Sequence, residues 1–138
     1  MSNELVFPHG FPVTLEFQIT NLAQNTTTDA ALANGNDGFR VPTGYKFHPT
    51  LIMTHHSESR TAGTATAKVT DDGTELTNGP EAAINATTTD HNTGVQRPGV
   101  EPIAAGAIVG ASVTATSDYT PTGSSEVDIV VSGLLLPA

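Results

Sequence analysis

The 138-residue chain has no cysteine and no tryptophan, and its aromatic residues are limited to five Phe and two Tyr. Without cysteine, neither a disulfide framework nor a Cys-ligated zinc or iron–sulfur site can form. Charged residues make up only 14% of the chain, which excludes the charge-rich composition of a coiled coil or helical bundle. The 22 threonines, 13 glycines and 9 prolines indicate instead a single, turn-rich β domain.

Basic residues are scarce, since five Lys and Arg stand against 14 Asp and Glu and leave a net charge of −9. All five bases lie in the middle of the sequence, between Arg40 and Arg97. An acidic surface repels phosphate groups, so we expect neither nucleic acid nor an anionic membrane as a partner. A charge of this sign also keeps an abundant protein in solution.

Long apolar runs and a secretory leader are missing as well. The longest stretch without polar residues, Ile103 to Ala111, is rich in Ala and Gly and too short to span a bilayer. The first residues lack the basic region of a secretory signal and are interrupted by Pro8 and Pro12. We therefore expect a protein that is made and kept in soluble form.

Alternation of apolar and polar residues is the main structural signal in the sequence. It is clearest from Val13 to Thr20, which we predict to be a half-buried antiparallel strand. Similar patterns predict further strands at residues 45–56, 63–70, 74–77, 82–89, 95–100, 109–116 and 126–136. Residues 21–38 have no such pattern and are predicted to be a loop with one short alanine-rich turn at 30–33. Residues 71–73 (Asp-Asp-Gly) predict a hairpin turn.

Seven or eight short strands at turn spacings of about 8–12 residues predict an all-β fold, either an antiparallel β-sandwich or a small barrel. Residues 1–12 are expected to form an extended arm, because each proline favours extended backbone, and residues 13–138 a single domain. Pro49 must lie at a bulge or on an open strand edge. The inward positions of several strands are Ala and Gly, so we expect a thin core that relies partly on partners.

Histidine is the first candidate for metal chemistry, because three of the five histidines fall within nine residues. By parity, His48, His56 and Glu58 share a strand face, and imidazole and carboxylate groups suit zinc. Eight residues of extended strand nevertheless separate the two histidines by about 26 Å, unless a bulge at Pro49 folds the chain back. The simpler interpretation is that they are surface or interface histidines, and we expect no metal site.

Other sites receive little support from the sequence. The Asp- and Asn-rich segments 34–38 and 71–73 could offer oxygen atoms to calcium, but such residues are also ordinary turn formers. There is no cysteine nucleophile, no Gly-x-Ser-x-Gly elbow and no glycine-rich phosphate loop. We therefore expect a protein that is not an enzyme and that uses no cofactor.

Two segments instead suggest an interaction surface. The arm carries two phenylalanines and two prolines within six residues, and exposed aromatic side chains promote aggregation unless they dock on a neighbour. Near the C-terminus, the alternation ends in an apolar run, so two leucines need a cover from the arm or from another subunit. The candidate capsid or subunit interface therefore consists of Phe7, Pro8, His9, Phe11, Pro12, Leu134 and Leu136.

Four segments of the sequence resemble the small jelly-roll proteins that decorate the heads of tailed bacteriophages, also called cement proteins. The segments are Val41-Pro-Thr-Gly-Tyr-Lys-Phe, Ala62-Gly-Thr-Ala-Thr-Ala-Lys-Val, Pro102-Ile-Ala-Ala-Gly-Ala-Ile-Val and Val127-Asp-Ile-Val-Val-Ser-Gly-Leu. The resemblance rests on the general residue pattern of the strands rather than on an invariant motif. It implies a jelly-roll-like β-sandwich.

The resemblance further implies a structural virion protein that binds the outer surface of the major capsid protein lattice as a dimer or trimer and stabilises the head. It would be located on the capsid surface and assembled in the host cytoplasm. Phe7 and Phe11 would add contacts by filling grooves or by strand addition. The alternative is an accessory β-sandwich domain of a virion or adhesin that binds carbohydrate or a host receptor, which would need an exposed aromatic platform.

Overall fold

The computed structural model describes residues 10–32, 34–56, 60–84, 90–121 and 126–138. These residues form thirteen strands and no helix, so none of them forms a helix able to span a membrane. The strands are β1 Phe11–Ile19, β2 Thr26–Asp29, β3 Ala31–Leu32, β4 Phe39–Arg40, β5 Tyr45–His56, β6 Arg60–Ala62, β7 Ala65–Asp71, β8 Thr74–Glu75, β9 Glu81–Ile84, β10 Asp90–Val95, β11 Ile108–Ala115, β12 Thr120–Pro121 and β13 Val127–Pro137. The prediction of an all-β fold is confirmed.

The strands form two antiparallel sheets and a small β6–β12 pair. One sheet has the order β10-β5-β13-β1-β3, and the other has the order β2-β11-β7-β8, with β4 also paired to β11 and β9 to β7. The eight longest strands are β1, β2, β5, β7, β9, β10, β11 and β13. If these eight strands are numbered one to eight along the chain, their spatial order is 1-8-3-6 in one sheet and 2-7-4-5 in the other. This order is the winding of a jelly roll. The predicted sandwich is confirmed.

The core lies between the two sheets and is built from alternate residues of each strand. The five-stranded sheet contributes large side chains, among them Phe47, Ile52 and Ile129, which are fully buried. The six-stranded sheet contributes Ile84 and several valines together with small residues, for example Ala65 and Ala67. Each fully buried Ile or Phe side chain stabilises the fold by roughly 1.5–3 kcal/mol. Alanine at these inward positions agrees with the small inward residues that the sequence pattern predicted for strand β7.

The first strand begins at Phe11, two residues before the predicted start. Phe11 pairs with Leu135 and Pro12 with Leu134, so both residues belong to the sheet rather than to a free arm. Phe11 is half-buried and meets Tyr45 edge to face, with 5.7 Å between the ring centroids. Residues 1–9, the rest of the predicted arm, lie outside the described part of the chain.

A β-bulge interrupts the pairing of β5 with β13. Ser132 pairs with Leu51 but Gly133 pairs with Pro49, so Thr50 is an extra residue in β5. The Oγ1 of Thr50 donates a hydrogen bond to the carbonyl oxygen of Ser132, at 3.2 Å. The predicted bulge at Pro49 is therefore confirmed, and it lies where a strand tolerates a proline.

The bulge reverses the alternation of side chains along β5. Before it, Phe47 points into the core, whereas beyond it Ile52 is buried and Met53 is exposed. Uninterrupted alternation along residues 45–56 would place Leu51 and Met53 on the same face as Phe47, whereas the structure places them on the opposite face. One inserted residue transfers every following side chain to the opposite face.

One loop prediction and one strand prediction are also wrong. Residues 21–38 contain β2, which pairs with β11, and β3, which pairs with β1, so this segment crosses from one sheet to the other. All four residues of β2 are polar, which hides the strand from a search for alternation. The strand predicted at 95–100 is replaced by β10, which ends at Val95 because Pro98 follows closely.

Candidate functional site

The structure brings part of the predicted interface together. Pro12 and Leu134 are paired neighbours, and Gly10 lies against the side chain of Leu136. These residues lie at one end of the outer surface of the five-stranded sheet. Phe11, by contrast, packs against the core and does not belong to that surface. Phe7, Pro8 and His9 are outside the described residues.

The outward side chains of β10, β5, β13 and β1 form one continuous surface, which we call the outer face. Its apolar members are Leu51, Met53, Val95, Val130, Leu134 and Leu136. Val95 is 65% exposed and Met53 39% exposed, and the other four are half-buried. Because these residues lie on neighbouring paired strands, they form an apolar stripe across the sheet. Contiguous exposed apolar surface is characteristic of an interaction site.

Lys46 and Asp128 lie near opposite ends of the outer face. Lys46 is opposite Leu136. At the other end, Asp128 Oδ2 is 3.9 Å from His55 Nδ1, an ion pair whenever the imidazole is protonated. Glu16 lies further from this end, opposite Val130. A groove with a volume of about 390 Å³ runs between β1 and β13 beside both carboxylates, lined by residues including Glu16, Gln18, Asp128 and Val130.

Leu134 and Leu136 were predicted from the sequence as part of an interface, whereas Leu51, Met53 and Val95 were not. Leu51 and Met53 were missed because the Thr50 bulge reverses the faces of β5, and the one available signal was Pro49. Val95 was placed at the start of a strand, whereas it ends β10, opposite Leu51. Position within a sheet, rather than local pattern, decides which of these side chains reach the surface.

The bulge also separates the histidines that sequence parity had placed together. His56 lies beyond the bulge, points inward and is only 2% exposed, whereas His48 is half-buried on the outer face. The prediction that they share a face is therefore wrong, and Glu58 lies outside the described residues. His91 is opposite His55 by backbone pairing. Within the described part of the chain, no group of three or more His, Asp or Glu residues is arranged to hold a metal ion.

The two segments considered for calcium do approach one another. Asp37 and Asp72 line one cleft with Asp29, and the cleft has a volume of about 310 Å³. Asp72 is already engaged, because its Oδ1 accepts a hydrogen bond from the backbone N–H of Ile108, at 2.8 Å. The backbone N–H of Asp72 in turn donates a hydrogen bond to the carbonyl oxygen of Ile108, at 2.9 Å. These bonds fasten the β7–β8 hairpin to β11.

The negative charge of the neighbouring Asp71 carboxylate is unfavourable in the folded protein. Burial is the larger cause that raises the pKa of Asp71 above its usual value of 3.8, and repulsion from the Asp72 carboxylate is the second. A raised pKa means that the folded protein holds this proton more tightly than the unfolded chain does. The hairpin therefore tolerates this charge at neutral pH and does not gain stability from it.

No protein-family model matches the chain, and no curated protein matches it either. The jelly-roll winding defines a class of β-sandwich that includes viral capsid and lectin domains. A fold of this kind hosts many activities, so the function has to be argued from the surfaces the chain presents.

Proposed function

We propose that the protein is a capsid decoration protein that binds the outside of the major capsid protein lattice and stabilises the head. The apolar stripe on the outer face is the observation that carries the proposal, because a surface of this kind is suited to lasting contact with another protein. The jelly-roll winding and the resemblance of the four strand segments to phage cement proteins support it.

The N-terminal segment supplies the attachment in this proposal. The chain enters the sheet at Gly10, beside Leu136, so residues 1–9 are tethered at one end of the outer face. Phe7, Pro8 and His9 contact a groove or a free strand edge of a capsid subunit. Each contact is weak, but many copies on a symmetric lattice reinforce one another. The net charge of −9 favours a partner surface that carries basic residues.

Binding of the purified protein to undecorated capsid particles tests the proposal. The full chain is compared with a variant that lacks residues 1–9 and with Phe7→Ala, while Asn3→Ala is the matched control. We expect the deletion and Phe7→Ala to reduce the number of copies that sediment with the particles, whereas Asn3→Ala binds normally. All variants should keep the circular dichroism spectrum of the full chain. Equal occupancy for all of them would contradict the proposed role of the segment.

The number of copies in purified virus particles provides a second, independent test. A lattice-binding protein should be present on the order of hundreds of copies, in a simple ratio to the major capsid protein. Quantitative staining of particle proteins measures this ratio. A handful of copies, or none, would rule out a decoration protein.

Carbohydrate binding is the alternative that the sequence left open. Stacking on a sugar needs an exposed aromatic ring, and in the described ranges every aromatic side chain is buried or half-buried. Tyr119 is 2% exposed, and Tyr45 packs against Phe11. No observation on the surface favours this function over capsid binding, and a glycan array tests it directly.

A further inference from the structure

A cleft opens on the six-stranded sheet, on the side that faces away from the core. Its floor is Gly110 of β11, which lies between the core residues Val109 and Ala111 and therefore faces outward. The end of β2 forms one wall with Asp29, and the β7–β8 hairpin forms the other with Asp72. Since β11 lies between β2 and β7, the backbones of the two walls are two strand spacings apart, about 9.6 Å. Because Gly110 has no side chain, the space between the walls stays open.

Two oxygen atoms point towards the space above Gly110. A Cβ atom placed on this glycine would lie 2.6 Å from the hydroxyl oxygen of Thr70 and 3.5 Å from the backbone carbonyl oxygen of Asp37. Thr70 is only 4% exposed, and its hydroxyl group forms no hydrogen bond within the described part of the chain. A buried polar group normally has a hydrogen-bond partner. A donor that enters the cleft supplies this missing bond.

The cleft is negatively charged. Its carboxylates belong to Asp29, Asp37 and Asp72, and none of the described residues that line it is basic. The basic side chains of the adjacent strands are engaged elsewhere. Lys68 of β7 pairs with Glu75 at 2.9 Å, and Arg40 of β4 donates a hydrogen bond to the carbonyl oxygen of Gly106 at 2.6 Å. The three carboxylates therefore attract a cation from outside the chain.

We propose that this cleft binds the guanidinium group of an arginine side chain on a partner protein. A calcium ion needs oxygen ligands that converge on one point at about 2.3–2.6 Å, and no group of three or more acidic residues in the described ranges is arranged in this way. A lysine ammonium group is also a compact point charge, with its three donors on one atom. A guanidinium group instead spreads five N–H donors over a plane, so it reaches acceptors that are further apart.

The acceptors of the cleft match these donors. The carboxylates of Asp29 and Asp72 accept hydrogen bonds from the guanidinium group at the two walls, and the Thr70 hydroxyl accepts one at the floor. The backbone N–H of Ile108 already holds Oδ1 of Asp72 at 2.8 Å, which fixes the orientation of this carboxylate before the ligand arrives. The cleft and the outer face lie on different sheets, so this inference does not rest on the proposed capsid contact.

An NMR titration of the isotope-labelled full chain tests the inference, with the peptide acetyl-Gly-Arg-Gly-amide as the probe. The amide signals of Thr70, Gly73 and Gly110 should shift, with a Kd on the order of 1 mM. The corresponding lysine peptide should bind about five-fold more weakly, and the peptide with uncharged citrulline should not bind. Calcium chloride at the same concentrations should leave these signals in place. No shift with the arginine peptide, equal affinity for the lysine peptide, or saturable binding of calcium would each overturn the inference.

Substitutions locate the binding to the cleft. Asp29→Asn, at an exposed position, and Thr70→Val, which keeps the shape but loses the acceptor, should each raise the Kd of the arginine peptide about three-fold. Gly110→Ala places a methyl group on the floor of the cleft and should abolish binding, although all three carboxylates remain. Asp128→Asn, on the outer face, makes the same charge change as Asp29→Asn and is the matched control, which should bind the peptide normally.

The control also separates a specific cleft from general attraction to an acidic protein. If Asp128→Asn weakened binding as much as Asp29→Asn, the inference would be wrong. Circular dichroism verifies that each variant is folded, and the exposed Asp29→Asn substitution provides the test if Gly110→Ala disturbs the sheet. These measurements use no capsids, so their outcome is independent of the test of capsid binding.

Discussion

Gly94 of β10 lies directly against the backbone of Glu81 in β9, at the margin where the two sheets meet. A Cβ atom on Gly94 would collide with the carbonyl oxygen of Glu81. Arg97, three residues further on, forms an ion pair with the Glu81 side chain, at 3.2 Å. Because β10 and β9 belong to different sheets, glycine at this position allows the sandwich to close on this side.

Substitution of this glycine should therefore destabilise the sandwich. Gly94→Ala forces the backbones of β9 and β10 apart, and we expect it to lower the free energy of unfolding by about 1–3 kcal/mol. Urea denaturation measures the loss. Thr93→Ala, at the exposed neighbouring position, should change stability by no more than about 0.5 kcal/mol. If the two variants were equally stable, the close approach would not limit packing.

Phe47 should be one of the most sensitive positions in the core. It is fully buried, exchanges two backbone hydrogen bonds with Ile103 and contacts Phe39 edge to face, with 6.4 Å between the ring centroids. Phe47→Ala removes a whole ring from a closed site, and we expect a loss of about 3–5 kcal/mol. Phe39→Ala is the matched control, and it should cost less because Phe39 is only half-buried. Thermal unfolding of both variants compares them, and a larger loss at Phe39 would contradict this view of the core.

The hairpin between β7 and β8 depends on left-handed backbone at two positions. Asp72 has a φ of 48° and Gly73 a φ of 84°, as in a type I′ turn, and this confirms the turn predicted from the sequence. No atom lies within 4 Å of a Cβ placed on Gly73, so Gly73→Ala tests the backbone alone. We expect it to cost about 1–2 kcal/mol in chemical denaturation. Gly73→Asn should cost less, because Asn tolerates this conformation, and an equal loss would contradict a purely conformational cause.

Asp71 gives the stability an identifiable dependence on pH. Because the pKa of Asp71 is raised in the folded state, the folded protein binds more protons than the unfolded chain between the usual value of 3.8 and the raised value. Its carboxylate therefore costs stability at neutral pH, and this cost disappears as the pH falls through that window. Asp71→Asn should accordingly have a higher Tm than the unsubstituted chain at pH 7, and this advantage should vanish below pH 3.8.

Asp72→Asn separates the two causes of this shift. It removes the repulsion between the carboxylates but leaves the burial of Asp71 unchanged. The pKa of Asp71, followed by NMR titration of its carboxyl carbon, should fall but stay above the usual value, because burial is the larger cause. A return to the usual value would mean that repulsion alone raises it.

Several elements could be predicted from the sequence because their signals are local. The limits of β5, Tyr45–His56, agree with the predicted strand, and β1, β11 and β13 lie within two residues of theirs. Strict alternation is recognisable without knowledge of the partner strand. β2 and β3 were missed, since β2 is polar at all four positions and β3 has only two residues. For such strands the pairing partner, and not the local pattern, determines the conformation.

The candidate interface also has a part that the local sequence predicts and a part that depends on strand pairing. The sequence identified Leu134 and Leu136 as apolar residues in need of a cover, because the polar face of the last strand becomes apolar there. Leu51 and Met53 could not be assigned to that surface, although Pro49 pointed to an irregularity nearby. The side of the sheet to which they point depends on whether the chain accommodates Thr50 within the ladder or as a bulge.

The sequence by itself determined the all-β class, the Asp-Asp-Gly hairpin and the acidic net charge. These properties depend on composition and on contacts between near neighbours in the chain. Only the tertiary structure decided which strands share a sheet, and that the stripe, Lys46 and Asp128 lie on one face. These features depend on pairing between strands far apart in sequence, such as β5 with β13, where a one-residue difference in register reverses the exposed side.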